Sequence, residues 1–452
     1  MFTTAARRWG LLVVLAGTML IDALEVSAMV VALPAVADRL GLPLTTAVWL
    51  VSGFAAGFGG LVLFGAQLVA WLGRRRVYLG ALALFAVACV LGAATTDPTV
   101  LIATRFVRGV CAALTAPTGL AIIMTAFTDT RDRGCALSVY TLMGASGFAT
   151  GLVLSGLLTT VDWRWAVVFP APAALLLFVL GLRFVPGDGG RLFGRPDAAG
   201  AACLAGALLA LVAGILRVPA HAWDAFAAVA LVPVLLGAFV LAERSSEWPL
   251  VRGHVLTSPP LVRAMLGAAA LNGSYLGLLV ICTVQWQAAG WSPLTVALAM
   301  LPASVPLAVA APFAGRMLSR FGTDHLIAFG ALAPPAGYAL YLWRGGPASY
   351  VTGVLPTMLL VGIGFVLCFT ALNAQATAGL PAADRPVASG IYQTAVQTAA
   401  AVLTALVAAL SAATNGYRPA LWLVTAVGVL GALAGAPAIA HTSNVLGRRL
   451  TH

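Results

Sequence analysis

Stretches of about 20 apolar residues, each long enough to cross a bilayer as a helix, recur along this chain with short polar interruptions between them. Fourteen can be read, at residues 10–33, 47–70, 77–96, 99–126, 137–160, 164–186, 198–217, 222–242, 262–289, 293–316, 326–343, 351–374, 387–412 and 418–440. Gly and Pro fall inside many of them. Membrane helices tolerate this because neighbouring groups satisfy the freed backbone, and small residues let helices approach closely. The pattern predicts an all-α integral membrane protein with 14 transmembrane helices.

Composition agrees. Hydrophobic residues make up 61% of the 452 and charged residues only 9%, against about 25% charged in soluble chains. The formal charge of +11 invites a nucleic-acid reading, which the placement of the charge removes. The basic residues are all Arg, in short clusters between apolar runs. With the N-terminus inside, nearly all of those clusters face the cytoplasm, as the positive-inside rule requires. Only Arg39, Arg164, Arg217, Arg344 and Arg418 fall outside, and Arg105 and Arg108 lie within the fourth span. A miscounted helix would invert every later loop, so both termini are expected in the cytoplasm. The N-terminal run is read as an uncleaved first helix, because Asp22 and Glu25 interrupt it. Arg without Lys, with abundant Ala and Gly, suggests a GC-rich genome and hence the cell membrane of a bacterium.

A weak repeat divides the chain. Ala66-Gln-Leu-Val-Ala-Trp-Leu-Gly73-Arg-Arg-Arg76 joins spans 2 and 3, and Gly315-Arg-Met-Leu-Ser-Arg-Phe-Gly322 joins spans 10 and 11. Two six-helix bundles separated by two inserted helices give that spacing. The expected domains are residues 1–188, a two-helix insert at 189–245, and 246–452. Repeat-built bundles that rock about a midplane site are a common transporter plan.

Of the 14 acidic residues, most lie in loops or at helix ends, where Asp197 and Asp224 suit N-terminal capping. Asp22 and Glu25 lie deep in the first span, where a charge costs roughly 2.5–3.5 kcal/mol even on the mild insertion scale. With Met29 they follow i, i+3, i+7 on one face, and Arg105 and Arg108 share a face of the fourth span. Glu25 lies about 22 Å along its helix, about 8 Å from the outer boundary, and Arg105 about 9 Å below that boundary. Antiparallel helices then offer Glu25 to Arg105 and Asp22 to Arg108. The pairs either merely neutralise each other or form a proton relay in which protonating an acid releases its Arg.

Neutral polar groups gather in the second half: Asn272, Tyr275 and Gln285 in span 9, Asn373 at the end of span 12, and Tyr392, Gln393 and Gln397 in span 13. Each is read either as an interhelical hydrogen bond or, with Met29, as lining for an amphiphilic small-molecule substrate. The six Cys are scattered, and the five His form no metal-binding spacing, so neither a disulfide framework nor a metal site is expected. No P-loop or nucleophile–base pair occurs; no enzymatic activity and no cofactor is expected, and the chain is read as a monomer in contact with lipid.

Several of these residues form patterns that resemble the major facilitator superfamily, and within it the fourteen-helix drug:proton antiporter branch. Leu24-Glu25-Val-Ser-Ala-Met-Val-Val-Ala32-Leu33-Pro34 is similar to the branch's L-D-x-T-x-x-N-x-A-L-P motif. Gly73-Arg74-Arg75-Arg76 is similar to the superfamily loop motif after helix 2, and Arg105-Phe-Val-Arg108-Gly109 to R-x-x-Q-G in helix 4. Gly144, Gly147, Gly151 and Gly156 follow the antiporter spacing in helix 5; Trp163-Arg164-Trp165 and Ala388-Ser389-Gly390 with Gln397 also look like this branch. The resemblance covers essentially the whole chain. It implies proton-driven export of drugs or antibiotics by alternating access, with Glu25 at the helix 1 acid and Arg105 as the Arg tied to proton transfer; the depth argument adds Asp22 and Arg108 as proton-coupling candidates. It also implies that Ala70, Gly73, Arg74 and Arg75 belong to the gating loop. Val30 replaces the branch's Asn, Ala70 the loop Asp that stabilises the outward-facing state, Leu152 a Pro, and Arg108 a Gln; Ser319 stands at the equivalent of Ala70 in the second half. A proton-coupled importer and a non-transporting sensor or scaffold on the same fold are the rival readings.

Overall fold

The computed structural model describes residues 4–187, 195–344 and 349–449, with side chains from Arg7 to Ala434 within those ranges. The domain boundary expected at residues 188–189 lies outside the described residues. Among the described residues, thirteen helices are long and apolar enough to span a membrane. They are α1 (Arg7–Leu40), α2 (Leu44–Leu72), α3 (Arg74–Ala94), α4 (Pro98–Ala126), α5 (Thr130–Thr159), α6 (Trp163–Phe184), α7 (Ala198–Arg217), α8 (Ala222–Ser245), α9 (Pro259–Ala288), α10 (Pro293–Phe321), α11 (Thr323–Arg344), α12 (Tyr350–Ala376) and α13 (Arg385–Thr414). The helix α14 (Arg418–Arg449) is the fourteenth.

Several helix starts have a local cause. Asp97, Asp129, Asp162, Asp197 and Ser292 accept hydrogen bonds from the first free backbone N–H groups of α4, α5, α6, α7 and α10, as caps do. Pro at the first turns of α4, α9, α10 and α13 sits where its missing N–H has no helical partner.

The repeat read in the loops is a repeat of packing. In the first half α1 lies against α5 and α6, and α4 against α2 and α3. In the second half α9 lies against α13 and α14, and α12 against α10 and α11. The two junctions share a backbone solution. Gly73 (φ 92°, ψ 144°) and Gly322 (φ 74°, ψ 159°) each end one helix and start the next without a loop, a conformation that side chains with a Cβ resist. Two seams join the halves, α2 to α13 and α5 to α10. α7 packs on α2 and α13, whereas in α8 only Ala225 is buried, so α8 lies outermost.

The segment between α8 and α9 is strapped down. Glu243 accepts from the N–H groups of Leu250 and Val251 at 2.9 and 3.0 Å. Gln67 of α2 donates to the Trp248 carbonyl at 2.6 Å and accepts from the N–H of Asp197 at 2.8 Å. Arg252 and His254 meet Asp384, at the start of α13, at 2.7 and 3.0 Å. The hydrogen bonds from His254 and Arg252 hold the Asp384 carboxyl below its ordinary range. A depressed acid keeps its tie above the ordinary Asp range and loses it as pH falls through the lowered value. Asp384→Asn is therefore expected to free the strap at neutral pH and speed tryptic cleavage after Arg252; unchanged cleavage would show that Glu243 and Gln67 hold the strap alone.

Candidate functional site

The site in the first half begins with glycine. A Cβ on Gly109 of α4 would be driven into the Phe54 carbonyl of α2, one on Gly57 into the Phe106 carbonyl, and one on Gly65 would lie 2.9 Å from the Ala113 oxygen. The two helices therefore run backbone against backbone, as small residues permit in lipid. That contact places Arg105 and Arg108 between α2 and α1. Arg105 donates through Nε to the Leu50 carbonyl at 2.8 Å and through Nη2 to the Glu25 carbonyl at 3.1 Å, and lies 5.1 Å from the Phe54 ring centroid. Its Nη1 meets Glu25 Oε2.

The expected Glu25–Arg105 pair is thus present, but the second pair is not. Arg108 Nη2 meets Glu25 Oε1, so one carboxylate holds both guanidinium groups. Asp22 accepts instead from the Thr115 hydroxyl at 2.7 Å. Matched depths along ideal helices had put Arg108 opposite Asp22. Thr115, seven residues further on and about 10 Å along the axis, occupies that place, and the long Arg108 side chain reaches Glu25. Arg108 Nε and Nη1 are buried without a hydrogen-bond partner, and its guanidinium lies 5.4 Å from the Phe85 ring centroid. Glu25, Arg105 and Arg108 are each 1% exposed or less.

On the other side of α1 stands the glycine series of α5. A Cβ on Gly144, Gly147 or Gly151 would strike Met19, Leu20 and Ala23, or Leu24 and Ser27, respectively. Ser27 donates to the Phe148 carbonyl at 2.7 Å and Ser155 to the Ala28 carbonyl at 2.5 Å. α1 is thereby fixed along the length that carries both acids. Gly156 belongs to a different contact: its Cβ position faces Pro293, Leu294 and Ala297 of α10, across the seam.

The second half is neutral, and its polar residues do not form one group. Asn272 donates to the Val396 carbonyl of α13 at 3.3 Å, an interhelical bond. Tyr275 is buried, with its hydroxyl 3.4 Å from the Ala303 carbonyl. Tyr392 is buried with an unpartnered hydroxyl, Gln397 packs beside Gly59 of α2, and Gln393 is half-buried. Gln285 lies near the end of α9 away from the termini, where Tyr341 donates to it at 2.7 Å and Trp286 donates to Tyr341 at 2.9 Å. Asn373 is exposed at the opposite end, and Met29 is buried in the common core. An aromatic series, of which the sequence marked only Tyr275, crosses between the halves. Phe148 of α5 meets Tyr275 at 5.6 Å between centroids, Tyr275 meets Phe365 at 4.7 Å, and Phe365 stacks on Phe369 at 5.1 Å.

Among the described residues, the side-chain hydrogen bonds that join helices of the two halves lie at the middle of the spans or toward the face away from the termini, while at the termini-bearing face Gln67 bonds the Trp248 carbonyl of the strap. Ser52 donates to the Ala401 carbonyl at 3.1 Å and lies 2.9 Å from the Thr404 hydroxyl; Thr394 donates to Gly59 at 3.1 Å, and Gln287 to Val31 at 2.9 Å. At the termini-bearing face, Ala70 is half-buried and gives the α2–α3 junction no carboxylate. Arg74 donates to Thr125 at 3.1 Å, and Arg75 to the final carbonyls of α6, Val185 at 2.7 Å and Leu182. These arginines staple the first bundle to itself. The strap residue Gln67 was missed by sequence reasoning; a Gln on a span's buried face next to the loop motif was the available signal.

The model of the Major Facilitator Superfamily matches residues 15–405. The puromycin resistance protein pur8 of Streptomyces alboniger is 34% identical over 422 residues, 91% of this chain and 83% of that protein. The cephamycin export protein CmcT of Amycolatopsis lactamdurans is 30% identical over 382 residues, 82% and 79% of the two chains. Among solved structures, a partially occluded inward-open conformation of the xylose transporter XylE from E. coli has a TM-score of 0.65 at 14% identity, covering 95% of this chain and 97% of that one.

Proposed function

The chain belongs to the major facilitator superfamily, and from that premise we propose that this transporter exports hydrophobic or amphiphilic small molecules, drugs or antibiotics, in exchange for protons. The names of its relatives, resistance to puromycin and export of cephamycin, support the substrate class and direction. The observation that carries the coupling is the buried charge cluster of the first half. Glu25, Arg105, Arg108 and Asp22 lie within spans where unpaired charge is costly, and a proton arriving on or leaving an acid there redistributes its partners. The second half supplies neutral surface. Tyr275 and Phe365, met by Phe148 of α5 across the halves, suit an apolar substrate, and Asn272, Tyr392 and Gln393 on α9 and α13 are the candidate polar anchors.

On the proposed topology, with the arginine clusters and both termini in the cytoplasm of a bacterial cell, the contacts of Ser52 with Thr404 and of Gly156 with α10 lie on the outer side, which supports reading this structure as closed to the outside. Cysteine labelling is expected to reach residue 161 from outside and residue 247 only from inside. Export is tested in inside-out vesicles with an imposed pH gradient, acid inside, using puromycin, a β-lactam and lipophilic cations as substrates. Accumulation that a protonophore collapses is the expected result. Uptake only in right-side-out vesicles would make the protein an importer, and no movement of any compound would favour a sensor.

A further inference from the structure

Asp22 and Glu25 sit one turn apart on α1 yet have unlike surroundings, and the difference assigns them different work. Both oxygens of Glu25 are taken by guanidinium groups. Protonating it would leave two buried cations without an anion, and one such orphan is already costly. Asp22 has one hydrogen-bond partner among the described residues, the Thr115 hydroxyl, and a hydroxyl serves either state of an acid. It donates to the carboxylate. When Asp22 holds a proton, Thr115 accepts from it and turns its own hydrogen to the Cys111 carbonyl, already 3.1 Å away.

The groups facing Asp22 are Glu25 on its own helix, Tyr78 on α3, Cys111 and Thr115 on α4, and Tyr140 on α5. Apart from Glu25 they are neutral. The unpartnered donors of Arg108, Nε and Nη1, belong to a guanidinium bound to Glu25 by its third nitrogen only.

We propose that Asp22 takes up and releases the coupled proton, while Glu25 stays ionised as the anchor of Arg105 and Arg108. The proton comes from water on the outer side, forms an O–H bond on Asp22, and returns to water on the cytoplasmic side. Ionised, Asp22 accepts from the Thr115 hydroxyl; protonated, it donates to that hydroxyl, and in both states Arg105 and Arg108 stay with Glu25. The position that matches the superfamily's helix 1 acid is then a fixed anchor, and an acid one turn away does the coupling. This inference rests on the proton-exchange reading above.

Two measurements on the full-length protein separate the inference from that reading. In inside-out vesicles, wild-type accumulation that requires the pH gradient establishes the reading. One proton per substrate then supports about a tenfold ratio per pH unit. Asp22→Asn is expected to lose that accumulation while keeping the wild-type melting temperature, and Asp22→Glu to recover part of it. Asp22→Asn accumulating like wild type would overturn the assignment and leave the reading intact. Infrared difference spectra of purified protein stepped between high and low pH need no transport. The protonated-carboxyl band is expected in wild type and absent in Asp22→Asn. A full band in Asp22→Asn, or its loss in a folded Glu25→Asp with Asp22 intact, would overturn the assignment whatever the vesicles show.

Discussion

Glu25→Gln is expected to reduce the yield of folded protein more than any other conservative change in the spans. The mutation removes one negative charge, but it strands two positive ones. Arg105 keeps its bonds to the Leu50 and Glu25 carbonyls; Arg108 loses its ionic partner and keeps only the Phe85 ring, because its two other nitrogens are already without hydrogen-bond partners. Removing one partner of a buried pair commonly costs roughly 3–5 kcal/mol, against a total stability of about 5–15 kcal/mol for a typical domain. Arg108→Gln is expected to be much milder, since it leaves Glu25 with Arg105 as a one-to-one pair. A double-mutant cycle on melting temperature gives the coupling directly. The Glu25–Arg108 coupling should exceed the Asp22–Arg108 coupling in the state seen in this structure. Glu25→Gln protein that folds and melts like wild type would mean that water or lipid, not the carboxylate, holds the two arginines.

The same cluster shows where sequence reasoning succeeds in a membrane and where it stops. Charge in lipid is so unfavourable that Asp22, Glu25, Arg105 and Arg108 stood out at once, and the fourteen spans followed from length and the arginine bias alone. The Glu25–Arg105 pair came from counting rise per residue. The count failed for Asp22, because an ideal helix axis says nothing about where α1 and α4 touch. Gly57, Gly65 and Gly109 fix α4 on α2, and Gly144, Gly147 and Gly151 fix α1 on α5, so the register of α1 against α4 is set by neighbours of both. The second half was less legible for a related reason. A polar group in a span draws attention, yet Gln285 and Asn373 sit near opposite ends of the bundle, while Phe148, Phe365 and Phe369 carry no polarity to mark them out from lipid-facing Phe.

Gly156→Leu is expected to hold the transporter away from the state in which this structure stands. Gly156 lies at the far end of α5, where the two halves close on each other. A Cβ there would lie 2.7 Å from the Ala297 Cβ, 3.0 Å from the Pro293 oxygen and 3.1 Å from the Leu294 Cα. Two of those three atoms are backbone, at the start of a helix, and cannot swing aside as a side-chain end can. Leu adds three further carbons to the same space. Closure must then stop short, and the hydrogen bonds of Ser52 and Gln287 at the same face are stretched with it. Overpacking of this kind costs typically 1–3 kcal/mol, enough to shift a two-state ratio by about 5- to 150-fold. The opened state does not contain the contact, so the equilibrium moves toward it. Spin labels at Val161 and Ala289, both exposed at that face, should report a longer distance by double electron–electron resonance. Cys135, the one native cysteine that is exposed among the described residues, is replaced first. Transport should fall in parallel, since the cycle needs both states, while Gly134→Leu, with nothing near its Cβ position, leaves the distance unchanged. An unaltered distance in Gly156→Leu would show that the seam between α5 and α10 is not the one that opens.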